Sequence, residues 1–437
     1  MHAGAVHMRA ADVTREILRR LFGDRPRGFI VKLWDGTVWP DGQGEVEFVL
    51  SLTHPGALRR MLGLPLDLAI GESFVRGDFE VDGNLEAALC AAEGLAGFSA
   101  RSRDYLALAG LVSRLPHGTG PEALGSPHAA RLRGARHSRE RDRQAIAHHY
   151  DVGNDFFRLW LDRRLVYSCA YFPRGDKDLD EAQDAKLDLI CRKLRLSPGE
   201  RLLDIGCGWG GLVQFAAERY GVTALGITLS EPQADLATRR IAEAGLRERC
   251  RVEVRDYRDQ PSEPFDKVAS IGMFEHVGRA RLPEYFAAAW AALRPGGLFL
   301  NHGIATGGGV GRGRSEGRPS FIDRYVFPDG ELVSIADALR VVEQAGFEVR
   351  DVESLREHYA LTLRHWVRRL EAHHAEAAAA ASEALYRTWR LFMAVSAYGF
   401  ATGVLNVYQA LLAKSDEHGR TDLPLSRADI YSPAFGR

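Results

Sequence analysis

The chain has few cysteines, and they form no pairing pattern. There are five among 437 residues, an odd number, and none stands in a CxxC pair. This distribution argues against a disulfide framework and against a structural zinc site, and it is typical of a protein in a reducing cytoplasm.

Long apolar runs and a dominant charge are also missing. No run of about 18 apolar residues occurs, so no segment is expected to span a bilayer. Residues 1–21 lack the apolar core of a signal peptide. Lysine plus arginine number 57 against 58 acidic residues, a net charge of −1. No whole-molecule field would attract nucleic acid, and any attraction to a membrane must be local.

The length of 437 residues predicts two or three domains, and a change of pattern along the chain divides it into two, joined by a linker. Residues 1–115 are expected to form a small α+β domain. In it, residues 29–33 and 46–50 alternate between apolar and polar, which predicts two strands that pair antiparallel after the turn at Asp35-Gly36. Residues 116–144 are interpreted as a basic linker.

The linker is rich in Gly and Pro at first and in arginine afterwards. The arginines are Arg131, Arg133, Arg136, Arg139, Arg141 and Arg143. One interpretation is a solvated helix or linker. The other is a patch that binds anionic lipid headgroups, where each basic residue contributes about 1 kcal/mol.

From about residue 181 onward, short apolar segments alternate with helical ones. Strands are expected at residues 201–204, 222–228, 252–254, 267–271 and 298–302. This alternation predicts an α/β fold with a doubly wound, Rossmann-like parallel sheet over residues 145–437. A Gly-, Arg- and Ser-rich stretch, residues 303–319, is expected to form a mobile loop over the carboxyl edge of the sheet.

A glycine-rich turn follows the first of these strands, with the sequence Asp204-Ile205-Gly206-Cys207-Gly208-Trp209-Gly210-Gly211. Glycine is required where the backbone turns sharply or where a ligand approaches the main chain closely. Taken alone, the pattern fits NAD, FAD or a simple tight turn equally well.

Two details favour a cationic cofactor over a dinucleotide. Asp204 would repel a pyrophosphate, but it suits a ligand that carries an ammonium and a sulfonium. The acid that holds the ribose about 20 residues further on in dinucleotide sites is missing, since the second strand ends in Thr228-Leu229-Ser230. Tyr257 follows the next strand, where its ring can contact an adenine. S-adenosylmethionine is therefore predicted ahead of NAD or FAD.

Several motifs resemble the cyclopropane-fatty-acyl-phospholipid synthases, and the mycolic acid cyclopropane synthases share most of them. The motifs are residues 149–157 (HYDVGNDFF), 167–172 (YSCAYF), 226–230 (GITLS) with Gln233, and 272–278 (GMFEHVG). Their number and order make the resemblance specific from about Arg143 to the C-terminus. Residues 70–74 (IGESF) and Gly77 resemble the amino-terminal domain of the longer family members.

The resemblance implies a class I S-adenosylmethionine-dependent methyltransferase that acts on a cis double bond of an unsaturated phospholipid acyl chain. An alkene is a weak nucleophile, so methyl transfer generates a carbocation, and a base must then remove a proton before the cyclopropane closes. The reaction requires an aimed methyl group, a dry tunnel for the acyl chain and a base beside the cation.

In the family the base is a bound bicarbonate ion. By resemblance its ligands are Cys169, Glu275, His302 and Tyr359, together with the backbone of Ile304. Tyr359 and Cys169 can donate to an anion, and His302 can donate or relay a proton. Glu275 must either be protonated or accept from the bicarbonate hydroxyl, which predicts a raised pKa or a shared proton.

The resemblance also assigns the contacts of the cofactor. They are Tyr167 and Ser168 at the methionyl carboxylate, Gly206 and Gly208 under the methionyl and ribose portions, Thr228, Leu229 and Gln233 at the ribose, and Tyr257 with Arg258 near the adenine. Asp204, because of its charge, and Gly210, as part of the glycine turn, are further candidate contacts.

One departure from the family concerns the C-terminal helix, expected over residues 389–412. Family members often have a cysteine there, whereas residues 395–400 (VSAYGF) have a serine, so no catalytic cysteine is assigned. The apolar side chains of this helix are interpreted as core or as a wall of the acyl tunnel. Glu275-His276 has no third ligand at a suitable spacing, so no metal is expected.

Other functions stay open at this stage. The same methyl transfer ends in a methylene or methyl branch if the base lies elsewhere. A methyltransferase for oxygen or nitrogen of a small molecule needs no bicarbonate ligands. A lipid-binding module with a relic cofactor fold would be expected to have lost the glycine turn or Glu275, and both are intact.

The expected location is the cytoplasm, with peripheral attachment to the inner face of the membrane, where unsaturated phospholipids supply the acyl chains. No nucleic-acid partner is expected. For the N-terminal domain the candidate roles are lipid docking, dimerisation into a homodimer and gating of the catalytic domain.

Overall fold

The computed structural model describes residues 9–23, 28–40, 45–96, 102–118, 129–150, 152–175, 178–259, 263–307, 320–421 and 423–431. Internal contacts divide the chain into two compact units. The first unit comprises Met1–Ala129, Arg318–Val326 and Ala377–Tyr398, and the second comprises Ala130–Gly317, Phe327–Glu376 and Gly399–Arg437. The segments Arg318–Val326 and Ala377–Tyr398 thus belong to the first unit, although the division into domains expected from the sequence placed them in the second.

The first unit contains a four-stranded sheet in the order β2-β1-β3-β4. Its strands are β1 (Phe29–Lys32), β2 (Val38–Trp39), β3 (Phe48–Leu52) and β4 (Phe79–Gly83). Its helices up to residue 129 are α1 (Ala10–Phe22), α2 (Ala57–Met61), α3 (Leu66–Arg76), α4 (Leu85–Ala96) and α5 (Ser102–Val112). The alternation predicted for the first strand is confirmed, because Phe29 and Val31 are buried.

The predicted antiparallel pairing of the two strands is wrong, because β1 and β3 pair in parallel. The turn at Asp35-Gly36 leads into β2, which pairs antiparallel with the far side of β1. The amide of Leu33 closes this hairpin by donating to the carbonyl of Thr37 at 2.8 Å. The second predicted strand therefore finds its antiparallel partner in β4.

The second unit is built on a seven-stranded sheet in the order β10-β11-β9-β8-β5-β6-β7. The strands are β5 (Arg201–Ile205), β6 (Thr223–Thr228), β7 (Cys250–Val254), β8 (Phe265–Ile271), β9 (Leu293–Thr306), β10 (Glu348–Ser354) and β11 (Leu405–Ala413). β9, β8, β5, β6 and β7 are parallel, and β11 runs antiparallel to both of its neighbours. The predicted α/β, doubly wound fold is confirmed.

Helices cover both faces of this sheet. The α-helices that the structure describes in the second unit are α6 (Arg139–Tyr150), α7 (Asn154–Arg158), α8 (Leu179–Lys193), α9 (Gly211–Tyr220), α10 (Glu231–Glu243), α11 (Leu282–Ala292), α13 (Ile335–Gln344), α14 (Arg356–Ala372) and α17 (Ala428–Tyr431). α12 (Phe321–Tyr325) and most of α15 (His374–Ala380) and α16 (Glu383–Thr402) belong to the first unit. One apolar layer packs α8 and α9 on the sheet through Ile190 and Phe215. The other packs α11 and α13 through Phe286 and Val342.

The helix predicted over residues 389–412 is wrong in its second half. α16 ends at Thr402, and residues 405–413 form β11 between β9 and β10. Leu405 and Leu411 are therefore strand residues. A short apolar run fits a buried strand as well as a buried helix, and here pairing with two neighbouring strands selects the strand.

Parts of other predictions lie outside the described residues, namely 119–128 of the linker and 308–319 of the loop. Among the residues that the structure describes, none of the helices combines the length and apolar character needed to cross a bilayer.

Much of the basic run is ion-paired within the second unit. Arg139 donates to Asp259 at 2.6 Å. Arg141 forms a two-point contact with Asp329, one bond of which is 2.9 Å long. Arg143 reaches Glu140 at 3.5 Å. These pairs support the first interpretation, in which the run is a solvated helix, α6, and the segment that leads into it.

Candidate active site

The glycine turn connects β5 to α9 and takes backbone angles that favour glycine. Gly206 has φ +79°, and a Cβ there would lie 2.8 Å from the Cβ of Met273. Its amide donates to the carbonyl of Ile227 at 2.9 Å. Gly208 has φ +54° with open space where a side chain would stand. The turn therefore keeps its main chain accessible to a ligand at the carboxyl edge of the sheet.

One cleft gathers most of the residues assigned to the cofactor. Those that line it are Gly206, Gly208, Thr228, Leu229, Gln233, Tyr257 and Arg258. They come from the ends of three neighbouring strands, which is where ligands of doubly wound sheets bind.

The ribose side of the cleft is held by a local network at the start of α10. The hydroxyl of Thr228 donates to Oε1 of Gln233 at 2.9 Å. The side chain of Ser230 caps the helix by accepting from the amide of Gln233. The predicted cap is confirmed, and it fixes both polar side chains at the cleft.

On the adenine side of the cleft, ion pairs hold Arg258 in place beside Tyr257. Arg258 forms a bidentate pair with Asp256, with both bonds at 2.7 Å, and donates to Asp142 at 2.9 Å. Its guanidinium lies 5.1 Å from the ring centre of Tyr257. The ring of Tyr257 in turn meets Tyr285 edge to face at 5.6 Å. These contacts orient the aromatic ring that the sequence assigned to adenine.

Gly210 does not line the cleft. Its missing side chain would face Ala237 and Val252, at 3.3 and 3.5 Å. Gly210 is the N-cap of α9 with φ +75°, so close packing and backbone geometry account for this glycine.

Asp204 lies at the end of β5 with only 2% of its surface exposed. Its Oδ1 has no hydrogen-bond partner among the described residues. Burial raises the pKa of Asp204 to about 7, an effect that the nearby Lys186 ammonium reduces. The carboxyl group is therefore desolvated, and Asp204 is not among the residues that line the cleft.

The segment that carries Tyr167, Ser168 and Cys169 is pinned between two helices. From α8, Gln183 donates to the carbonyl of Ser168 at 2.9 Å, and Lys186 donates to its hydroxyl at 2.9 Å. From α14, Thr362 accepts from the amide of Ala170 at 3.0 Å. These bonds fix the three side chains relative to the sheet.

Tyr167 lies within a cluster of aromatic rings. Its nearest ring centres are those of Trp366 at 5.2 Å, Trp160 at 5.5 Å, His149 at 5.6 Å and Phe157 at 5.8 Å. Aromatic faces are electron-rich and attract cations. The cluster therefore provides a dry wall with an affinity for positive charge.

Cys169 and Tyr359 meet at the start of α14. The thiol of Cys169 donates to the carbonyl of Ala170 at 3.2 Å and lies 3.7 Å from the carbonyl of Leu355, which accepts from the amide of Tyr359 at 3.0 Å. Burial raises the pKa of the Cys169 thiol, so it stays protonated. Burial also raises the pKa of Tyr359, and the charges of Cys169 and Glu275 add to the shift. Both side chains are therefore hydrogen-bond donors at neutral pH.

Glu275 and His302 are connected through β9. Oε1 of Glu275 accepts from the amide of Ile304 at 2.6 Å, while Oε2 has no partner among the described residues. Burial raises the pKa of Glu275 to about 7, as the sequence predicted. His302 is 1% exposed and opposes Gln409 of β11.

The amide of Gln409 lies 3.2 Å from Nδ1 of His302, and Nε2 of the ring has no partner among the described residues. Burial, assisted by the charges of Lys186 and Lys193, lowers the pKa of His302 well below its usual value. A neutral ring whose Nδ1 accepts from the amide carries its proton on Nε2. Nε2 is then a donor that lacks an acceptor.

Sequence reasoning missed three residues of this site, namely Gln183, Lys186 and Gln409. The first two lie on the buried face of α8, and the third lies in the apolar strand β11. A signal was present in each case, because a polar residue on an apolar stripe must find a buried partner. The partner itself is distant in sequence and cannot be read from the pattern.

Comparisons with known proteins agree with this geometry. Residues 137–410 match the family model described as mycolic acid cyclopropane synthetase. A probable fatty acid methyltransferase of Pseudomonas putida is 41% identical over 410 residues, which cover 92% of this chain and 95% of that protein.

Two solved structures are each similar to 62% of the chain. The cyclopropane synthase MmaA2 from Mycobacterium tuberculosis matches with a TM-score of 0.58 and 38% identity, over 62% of this chain and 98% of that one. The mycolic acid cyclopropane synthase CmaA1, complexed with SAH and CTAB, matches with a TM-score of 0.58 and 37% identity, over 62% and 97%. The chain therefore belongs to the mycolic acid cyclopropane synthetase family of S-adenosylmethionine-dependent methyltransferases.

Proposed function

We propose that this protein transfers the methyl group of S-adenosylmethionine to the cis double bond of an unsaturated phospholipid acyl chain, forming a cyclopropane. The observation that carries the proposal is a pair of buried polar atoms without partners among the described residues, Oε2 of Glu275 and Nε2 of His302. They lie beside the cofactor cleft, whose lining includes Met273 and His276 next to Glu275. Transfer to oxygen or nitrogen requires no such pair.

The same atoms fit a bound bicarbonate. The neutral His302 and Tyr359 offer hydrogens to an oxyanion, the Cys169 thiol is a weaker donor, and Glu275 can accept from a hydroxyl or share its proton. Ile304 fixes Glu275 through its amide. When bound, bicarbonate supplies the base that removes a proton after methyl transfer. The role of the protein is to hold that base in a dry site and to orient it.

Names of relatives support the substrate class. The Pseudomonas putida relative is a probable fatty acid methyltransferase, and the two matched structures are cyclopropane synthases. The CmaA1 structure contains SAH, the product that S-adenosylmethionine leaves after methyl transfer. We extend both the cofactor position and an acyl substrate to this chain.

In this proposal, the protein attaches peripherally to the cytoplasmic face of the membrane, and the lipid enters the site from there. The division of labour follows the domains expected from the sequence. Residues 1–115 dock on lipid or form a homodimer, and residues 116–144 link the two domains. Residues 145–437 form the catalytic domain, which transfers the methyl group. The full-length protein should co-sediment with vesicles of unsaturated phospholipid.

The direct test is incubation of the full-length protein with methyl-labelled S-adenosylmethionine and vesicles of a cis-unsaturated phospholipid. Label is expected in the acyl chains and not in vesicles of a saturated lipid with the same headgroup. Removal of bicarbonate by degassing should slow the reaction, and added bicarbonate should restore it. Absence of label in the lipid under all conditions contradicts the proposal.

A second product is consistent with the less specific name of the Pseudomonas putida relative, a probable fatty acid methyltransferase. The same carbocation gives a methylene or methyl branch if the proton leaves a neighbouring carbon. Mass spectrometry before and after hydrogenation distinguishes the products, because a methylene group takes up hydrogen under conditions that spare the ring. A reducible product would replace the cyclopropane in the proposal and keep its first step.

A further inference from the structure

Lys186 is a charged side chain that the proposed reaction does not use. It lies in the middle of α8 and is only 1% exposed. Its Nζ donates to the hydroxyl of Ser168 at 2.9 Å. No carboxylate of the described residues forms an ion pair with it; the charges of Asp162 and Asp204 act on it from farther away. A buried ammonium without a direct counter-ion is costly, so it requires an explanation.

Asp162 is the first candidate for a counter-ion, but its oxygens are already used. One oxygen accepts from the amide of Val166 at 2.7 Å and the other from the amide of Arg164 at 2.8 Å. The carboxylate thus shapes the loop before Ser168. It stabilises the ammonium only from a distance.

Asp204 is the second buried charge of this region, and it too lacks a direct partner at Oδ1 among the described residues. Lys186 and Asp204 influence each other without forming an ion pair. Two opposite buried charges held apart in this way complement a ligand that carries both charges. The α-amino acid end of S-adenosylmethionine is such a zwitterion.

The hydrogen bond from Lys186 determines how the Ser168 hydroxyl is oriented. An ammonium only donates, so the hydroxyl oxygen of Ser168 must accept from Lys186, and its own hydrogen points elsewhere. Gln183 fixes the backbone of Ser168 at the same time. Ser168 adjoins the cofactor cleft, because a side chain added at the cleft residue Gly272 would lie 3.8 Å from the Cβ of Ser168. The hydroxyl hydrogen is therefore free of Lys186 and close to a ligand bound in the cleft.

We propose that Lys186 positions the amino-acid end of the cofactor, by orienting the Ser168 hydroxyl toward the methionyl carboxylate and placing a positive charge behind it. Asp204 receives the ammonium of the same ligand. This inference rests on the cofactor site of the proposed function and is independent of the lipid reaction. Burial lowers the pKa of Lys186 to about 8, so the side chain remains mostly protonated at neutral pH.

Two ligands test this role in the full-length protein, both measured by calorimetric titration. S-adenosylhomocysteine carries the zwitterion, and 5′-methylthioadenosine has the adenosine and the sulfur but not the amino acid. In Lys186→Met the Kd of S-adenosylhomocysteine is expected to rise about tenfold or more, as for loss of a charge-assisted hydrogen bond. The Kd of 5′-methylthioadenosine should not change.

Lys193 provides a matched control. It lies on the same helix, is fully buried and forms an ion pair with Glu353. Lys193→Met should lower stability without changing the ratio of the two dissociation constants. Equal weakening of both ligands by Lys186→Met would show a merely structural role and overturn the proposal, as would no change in either.

If Lys186→Met does not fold, the wild-type protein still decides. Its affinity for S-adenosylhomocysteine should exceed that for the decarboxylated analogue by about tenfold or more. Equal affinities overturn the inference. Failure of S-adenosylhomocysteine to bind at all would instead contradict the cofactor site of the proposed function.

Discussion

The two ends of the site differ in how their polar groups are satisfied. At the adenosine end, Thr228 bonds to Gln233, and Arg258 is neutralised by Asp256 and Asp142. At the reacting end, several buried atoms have no partner among the described residues, including Oδ1 of Asp204, Oε2 of Glu275 and Nε2 of His302. Burying polar atoms without partners costs free energy, so they mark where ligands complete the protein.

This contrast shows that the part of the site that binds the adenosine and the part that carries out methyl transfer are built differently. The adenosine end is preorganised and offers shape and ring contacts. In the proposed reaction, the reacting end keeps its electrostatics incomplete until the cofactor and the proposed bicarbonate are bound. Variants at the two ends should therefore affect different measurements, which the following predictions use.

The largest expected effect is loss of methyl transfer in Glu275→Gln. The amide can still accept from Ile304, but it cannot share a proton with the anion. We expect kcat to fall about a hundredfold or more, the usual contribution of positioned acid–base groups. The affinity for S-adenosylhomocysteine, measured by calorimetric titration, should stay the same. If the Glu275→Gln variant methylates lipid at the wild-type rate, Glu275 does not belong to the reacting end of the site.

A smaller effect of the opposite kind is expected in Gly206→Ala. The added Cβ would lie 2.8 Å from the Cβ of Met273 at a backbone φ of +79°. We expect the Kd of S-adenosylhomocysteine to rise about tenfold, since strain at such a position costs about 1–2 kcal/mol. Gly199→Ala is the control, because Gly199 also has positive φ but nothing within 4 Å of the added atom. Equal losses of binding in both variants would contradict the role of the turn.

Gln409→Glu tests the protonation of His302. A carboxylate facing Nδ1 requires a proton there, which removes the hydrogen from Nε2 of the neutral ring and raises the pKa of His302. We expect kcat to fall about tenfold, with an altered pH profile and unchanged affinity for S-adenosylhomocysteine. Gln409→Leu should be milder, because it leaves both tautomers accessible. A fully active Gln409→Glu variant would contradict the assigned tautomer.

The last prediction concerns stability rather than binding or rate, again in Glu275→Gln. The folded-state pKa of Glu275 is raised to about 7 from 4.5. The native state therefore holds this proton more tightly than the unfolded state, and ionisation destabilises the native state increasingly as pH rises from 4.5 to 7. The amide removes this penalty, so the variant should gain about 1–3 kcal/mol over the wild type at pH 8.

Below pH 4.5 the same comparison should show no gain, because Glu275 is then protonated in both states. Denaturant titrations at several pH values provide the measurement. A gain that does not depend on pH would show that Glu275 is not the buried acid described.

Sequence reasoning identified most of the adenosine end, for a local reason. The glycine turn, the Ser230 cap and Tyr257 each lie within a few residues of the strand end they serve. Backbone angles and capping are set by neighbouring residues, so their pattern is visible in the sequence. The four candidate ligands of the anion were found only through the resemblance to a family.

The sequence by itself determined the doubly wound fold and the cofactor turn, because strand–helix period and turn chemistry are local. Only the tertiary structure decided that β1 pairs in parallel with β3 and that residues 405–413 form a strand. It alone placed Lys186 behind Ser168 and Gln409 against His302. The reason is that strand partners, burial and electrostatic environment depend on contacts between residues far apart in the chain.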